Sequence, residues 1–225
     1  MPKPSASKRV LALGLAALAA GAAGAAPAPP ASLRFEQVFD TRRPASVHYE
    51  AQFLARDGRR TQQVQAWRDG DLRLKRRTGD ALEVYAVHAP GEPEYEMTVL
   101  DLRRKIMTRI ARTNLFRIGN FTDWFDLAHG LKHPRGDYTL RSASPPQGAG
   151  PQVGACTWYA LGQVGRVSDV CWSVRAQLPL AIVDAQGRTV WQVTRLVLGP
   201  IAPEVFQVDA RDYVLNDANS DIERD

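Results

Sequence analysis

The sequence predicts a mainly β protein: a curved antiparallel sheet, an open half-barrel of about eleven strands, with one or two packed helices. Three observations predict it. Asp-Gly and Gly-Asp dipeptides recur between short runs rich in Val, Tyr, Thr and Trp, the strongest short-range hairpin signals. The runs alternate apolar and polar residues, the period of strands with one covered and one wet face. One segment, 121–131, changes instead to helical spacing. A twisted sheet of this size tends to curl or close.

The chain opens with Lys3, Lys8 and Arg9 around the start of an apolar Leu/Ala/Gly run at 10–20. Ala23-Gly24-Ala25 or Gly24-Ala25-Ala26 then offers an A-x-A-like cleavage site. This is the anatomy of a signal peptide over 1–26. The run is too short and too rich in Ala and Gly to span a bilayer comfortably. No Cys near the cleavage point can accept a lipid. The expected organisation is a cleaved signal at 1–26, a flexible leader at 27–32, a single domain at 33–210 and a polar tail at 211–225. The expected location is the bacterial periplasm, with no transmembrane span in the mature chain.

Charge follows from this. The chain carries 29 Lys+Arg against 24 Asp+Glu, a net +5. Residues 1–26 hold three basic and no acidic residues, leaving about +2 (26 − 24) after cleavage. An exported, nearly neutral protein is not expected to bind nucleic acid. The cluster Arg73, Lys75, Arg76, Arg77 reads as a solvated strand face.

The strands run in order. Segments 47–55, 61–67, 71–77 and 81–88 are separated by Asp57-Gly58, Asp69-Gly70 and Gly79-Asp80. Val47, Tyr49, Ala51 and Phe53 share one face, with His48, Glu50 and Gln52 on the other. Leu72 and Leu74 alternate with Arg73 and Lys75. After a Gly91-Glu92-Pro93 turn, 94–102 pairs back with 105–110. In the helix, Phe121, Trp124, Phe125, Leu127, Ala128 and Leu131 form the apolar stripe. Thr122 or Asp123 can cap its start, and Gly130 sits near its end. A strand at 138–143 and a Pro/Gly-rich loop at 144–154 follow. A hairpin at 178–199 turns at 184–187, with Val190, Gln192, Thr194 and Leu196 alternating with Trp191, Val193, Arg195 and Val197. A last strand is expected at 200–208.

The chain's two cysteines, Cys156 and Cys171, fall in the hairpin of 156–161 and 166–174. Exported proteins meet an oxidising compartment, so the pair is expected to form a disulfide. A hairpin centred between Gln163 and Val164 sets Gly162 opposite Gly165 and Cys156 directly opposite Cys171, close enough to bridge. No C-x-x-C or His pair at ligand spacing supports a metal or dithiol site. His48, His88, His129 and His133 give no local signature of a catalytic Cys.

Three segments, EVYAVH, EYEMTVLDLRRKIMTRI and LPLAIVDAQGRTVWQVTRLVLGPIAPEVFQV, together with the aromatic-bearing helix, resemble the LolA/LolB-like fold. That group includes periplasmic lipoprotein carriers and the N-terminal domain of the regulator RseB. The resemblance covers roughly 33–208. It implies an unclosed β-barrel whose interior receives acyl chains. The cysteine hairpin departs from the carrier pattern, and the lipidated Cys of the outer-membrane acceptor has no counterpart here.

A helix lying across a curved sheet sits at its mouth, so Phe121, Trp124, Phe125, Leu127 and Leu131 are the candidates to line a hydrophobic-ligand cavity. Catalysis has little support. Asp123 and Asp126 read as a solvated first helical turn. Ser168 and Asp169 are neighbours on a strand and point to opposite faces. No nucleophile elbow, zinc-protease or phosphate-loop motif occurs. The expected function is non-enzymatic binding of a lipid, a lipoprotein acyl chain or another apolar ligand, with no cofactor and no metal. The alternative is an envelope sensor or interaction protein that binds a protein partner.

Overall fold

Left-handed glycines turn the chain through its first four strands. β1 (Val47–Leu54), β2 (Thr61–Asp69), β3 (Arg73–Thr78) and β4 (Leu82–His88) follow one another antiparallel. Gly58, Gly70 and Gly79 hold φ of +66°, +56° and +55° at the reversals, where a side chain would be strained. This computed structural model describes residues 32–39, 45–55, 57–89, 95–115 and 124–217. The predicted signal peptide, the 91–93 turn, Phe121 with the capping candidates Thr122 and Asp123, and residues 218–225 lie outside the described residues.

β5 (Tyr95–Asp101) and β6 (Ile106–Ile110) complete the first meander. Two short helices flank it in sequence, α1 (Phe35–Val38) and α2 (Trp124–His129). A second meander follows: β7 (Tyr138–Ser142), β8 (Thr157–Gln163), β9 (Arg166–Ser173), β10 (Leu178–Asp184) and β11 (Thr189–Leu198). β11 returns to pair antiparallel with β1, which joins the meanders in mid-sheet. The order is β12-β6-β5-β4-β3-β2-β1-β11-β10-β9-β8-β7, where β12 (Val214–Asp217) runs parallel to β6. The outermost strands do not pair with each other, so the curved sheet stays open, as the half-barrel expectation requires.

The helices cover one face. Trp124, Leu127 and Ala128 of α2 pack on Leu74, Ala86, Tyr95 and Met97. Phe35 and Phe39, with Leu131, pack on Leu140, Leu161, Val170 and Trp172 of the second meander. The α1 segment also ties to the outermost strand β7: the Leu33 amide donates to the Leu140 carbonyl at 2.7 Å, and the Phe35 amide to the Tyr138 hydroxyl at 2.9 Å. Covering an edge in this way removes a template for unwanted pairing. The basic run of β3 is ion-paired: Lys75 and Arg77 each stand 3.7 Å from Glu83, and Arg73 pairs with Asp69.

Four details differ from the sequence expectations. The cysteine hairpin is shifted by two residues: Gln163 pairs with Arg166, and Cys171 faces Trp158. Only Gly165, at φ +70°, makes the turn with Val164. Gly162 lies inside β8, where a Cβ would stand 2.5 Å from Thr139 Oγ1, so its missing side chain serves the approach of β7. Cys156 sits just before β8 and still bridges to Cys171, with Cα atoms 5.4 Å apart. Trp158 packs beside the bridge, whereas Trp172 belongs to the helix-covered cluster.

Second, the alternation of β11 breaks at Thr194. Glu50 pairs with Arg195 but Ala51 with Val193, a bulge that changes which residues face the core. Val193 is buried, and Leu196 and Leu198 pack on the same cluster. Third, 200–208 is not a strand. Pro203–Phe206 is a 3-10 turn, since Pro200 and Pro203 cannot donate to a ladder, and Phe206 sits 4.6 Å from the Arg73 guanidinium. Fourth, β3 begins at Arg73, leaving Leu72 in the preceding turn and exposed, and part of the expected tail forms β12, its side chains all exposed.

The bridge closes a segment of 15 residues, which constrains the unfolded chain by about 3 kcal/mol. Replacing both Cys156 and Cys171 by Ser should lower the unfolding free energy in urea by about that amount. An unchanged denaturation midpoint would show that the bridge does not contribute to stability.

Candidate ligand groove

α2 is short because its C-terminus is sharply stopped. Gly130 takes φ +66°, a left-handed residue that ends a helix without steric cost. The chain then folds back, and the His133 amide donates to Asp126 Oδ1 at 2.8 Å. That contact sets 131–135 as one wall of a groove. The facing wall comes from the end of β1 and from β8 to β11.

The groove measures about 640 Å³. Phe53, Leu131, Leu161, Val170, Ile182 and Trp191 give it an apolar lining. A second bulge aims this wall: Ile182 pairs with Trp191 but Val183 with Thr189, leaving Val190 unpaired at the groove. The Trp191 indole is held by donating from Nε1 to the Pro179 carbonyl at 2.8 Å. Lys132, Arg135 and Arg166 stand at the rim, with Asp126 and His133 beside them.

A buried polar cluster is centred on Arg68, which is fully buried. Its Nη2 donates to the carbonyls of Ala45 and Ala176 at 3.2 and 2.6 Å. Its Nη1 donates to those of Ala128 and Gln177 at 3.3 and 3.0 Å, and lies 2.6 Å from His129 Nδ1. Burial, and then the neighbouring guanidinium, push the His129 imidazole down to about 3, so it is neutral at ordinary pH. Burial also lowers Arg68 to about 10, which leaves it charged. Phe125 stacks on His129 at 5.0 Å.

The four described candidates of the helix fall into different places. Leu131 lines the groove. Phe125 lies one layer beneath, within 5.7 Å of Phe35 and 4.5 Å of His133. Trp124 and Leu127 pack in the core under α2. Trp124 donates to Asp71 Oδ1 at 2.5 Å and stacks on His88 at 4.8 Å. Phe121 lies outside the described residues. Ser168 lines the groove while Asp169 pairs with Ala160 across the ladder. Among the described residues, no three His, Cys, Asp or Glu side chains stand close enough to hold a metal, and no helix is long and apolar enough to cross a membrane.

Sequence reasoning missed Arg68 and the Trp191–Ile182 wall. A signal for Arg68 existed: it shares the alternation of Val64 and Ala66, both buried. Its place beside Asp69-Gly70 makes it look like a turn residue. A second cavity, about 430 Å³, is bordered by Glu50, Gln52, Gln63, Gln65 and Arg77, and that polar border suits an apolar guest poorly.

No protein-family model and no curated protein matches the chain. Solved structures do. The crystal structure of MucB aligns with 80% of this chain and 63% of its own at 16% identity and a TM-score of 0.43. The Pseudomonas aeruginosa MucA/MucB complex aligns with 78% of this chain and 59% of its own at 17% identity and a TM-score of 0.44. PNGF-II aligns at 8% identity, a TM-score of 0.30 and 33% of its own length. The chain thus spans about three-fifths of the length of the MucB chains it matches. Likenesses of this size carry neither family membership nor a partner across to this chain.

Arg68→Met should destabilise the protein by roughly 3 kcal/mol or more, because buried carbonyls lose their donor. Chemical denaturation measures this, and a loss under about 1 kcal/mol would show that the carbonyls find other donors. The His129 value sets a pH dependence. The unfolded imidazole takes a proton as pH falls through 6.5, while the folded one refuses it until about 3. Stability should therefore fall with decreasing pH across that window, by up to about 1.4 kcal/mol per unit from this group. His129→Gln should flatten the slope between pH 6 and 4 in urea titrations, and an identical slope would assign the acid sensitivity elsewhere.

Proposed function

We propose that this protein is a non-enzymatic periplasmic binder of an apolar ligand, such as a lipid or an acyl chain, held in the groove between the segment after α2 and strands β8 to β11. The groove itself carries the reading: a cavity of about 640 Å³ with an apolar wall. Cavities of roughly 300–1,000 Å³ with such linings hold small apolar molecules. Each methylene buried there would contribute about 0.8 kcal/mol. The Cys156–Cys171 bridge and the signal-like N-terminus support an oxidising, exported setting.

A second reading is an envelope interaction protein. The observation in its favour is the outermost strand β12, whose four side chains are all exposed, Val214 and Leu215 among them. An open strand edge accepts an extended segment of another chain.

Native and denaturing mass spectra of protein exported to a bacterial periplasm and purified without detergent separate the two readings. Added mass that leaves as lipid on denaturation is the expected outcome. Val190→Arg, which places a charge in the groove at a half-buried position, should abolish the added mass while circular dichroism stays unchanged. An empty protein that also takes up no fluorescent fatty acid would overturn the apolar-ligand reading and favour the protein-partner one.

A further inference from the structure

The rim of the groove has a charge sign that apolar binding alone does not call for. Lys132 and Arg135 come from the wall after α2, and Arg166 from the start of β9 across the opening. All three are exposed. Among the described residues, the groove lining sets one carboxylate, Asp126, against these three cations. Asp126 accepts from the His133 amide and stands 3.5 Å from His133 Nδ1, so it is turned toward its own segment. Cations on both sides of an opening, with an apolar wall on the inner side, focus a positive potential at the mouth. Arginine forks match the paired oxygens of carboxylates and phosphates.

Size narrows the ligand further. A cavity of about 640 Å³ is in the range, roughly 300–1,000 Å³, that holds one small molecule. That is a site for one chain rather than for several side by side. Ile182 and Trp191 line the apolar part, and the cations stand at its opening.

We propose that the groove binds a single-chain amphiphile with an anionic head, a carboxylate or a phosphate monoester, its chain against Ile182 and Trp191 and its head between Lys132, Arg135 and Arg166. This rests on the reading of the groove as an apolar-ligand site. It adds the charge of the head and the number of chains.

Calorimetric titration of the full exported chain, freed of any bound guest, tests it. The probes are dodecanoate, dodecyl phosphate and the neutral monoglyceride of the same chain, each below its micelle concentration, and inorganic phosphate alone. Both anionic probes should bind about tenfold tighter than the monoglyceride at low ionic strength. The gap should close at high salt. It should also close in the triple variant Lys132→Gln, Arg135→Gln, Arg166→Gln, which should bind the monoglyceride as before. Equal affinity for all three amphiphiles would overturn the head-group proposal and leave the apolar site standing. Inorganic phosphate binding as tightly as dodecyl phosphate would show an anion site with no use for a chain, and would overturn it as well. Binding of none of the amphiphiles would remove both this proposal and the function it rests on.

Discussion

The buried guanidinium of Arg68 holds together three separate parts of the chain. It donates to carbonyls at 45, 128, 176 and 177. Those positions precede β1, end α2 and form the turn between β9 and β10. Burying a charge is costly unless its donors are satisfied, and backbone carbonyls supply partners to Nη1 and Nη2 without a second charge, while the buried Nε makes no hydrogen bond. The Ala128 carbonyl also belongs to the C-terminal end of α2, where the helix favours a cation. A planar fork with fixed donor directions suits this role better than a flexible ammonium. His129 stays neutral beside it, which keeps a second positive charge out of the same space.

Shape comes from departures from regularity. The two meanders could each be flat, but they meet at β1 and β11, where a bulge at Thr194 interrupts the ladder. Further irregularities lie in β10 and at Val190. Bulges increase local twist and re-aim side chains. Here they bring Trp191 and Val190 to the same opening as Ile182. The N-terminal segment supplies Phe35 and Phe39 to the layer beneath, where Phe125 and Trp172 meet them. The groove is therefore the part of the helix-covered face that the helices leave open.

This division explains why most of the expected lining residues are not in the lining. A stripe of Trp124, Leu127 and Ala128 on a short helix has to satisfy the sheet beneath it before it can serve a ligand. The residues after the helix, where backbone turns at Gly130 and is tied back to Asp126, are the ones free to face the opening. Leu131 belongs to both sets. The cations follow it in sequence because the chain there is leaving the core for solvent.

The sequence alone determined the hairpin succession, the mainly β class, the change to helical spacing that becomes α2 and the pairing of Cys156 with Cys171, but not α1. These are local properties: a left-handed glycine, a period of two or of 3.6, and two thiols within reach across a turn. It did not determine the register of the cysteine hairpin, because Gly162 and Gly165 look alike until β7 claims the space beside Gly162. Nor did it reveal the bulge at Thr194, the turn at 203–206 in place of a strand, or β12 beside β6. The turn at 203–206 was written locally in Pro200 and Pro203, whereas the bulge and β12 depend on what the neighbouring strand requires. Arg68 and the groove belong to the same class. Alternation places Arg68 on the inner face, but only the arrival of α2 and of residues 176 and 177, more than a hundred positions away in the chain, makes a buried charge tolerable there. Local chemistry set the strands and the staple, and long-range packing decided which side chains were left over to face a ligand.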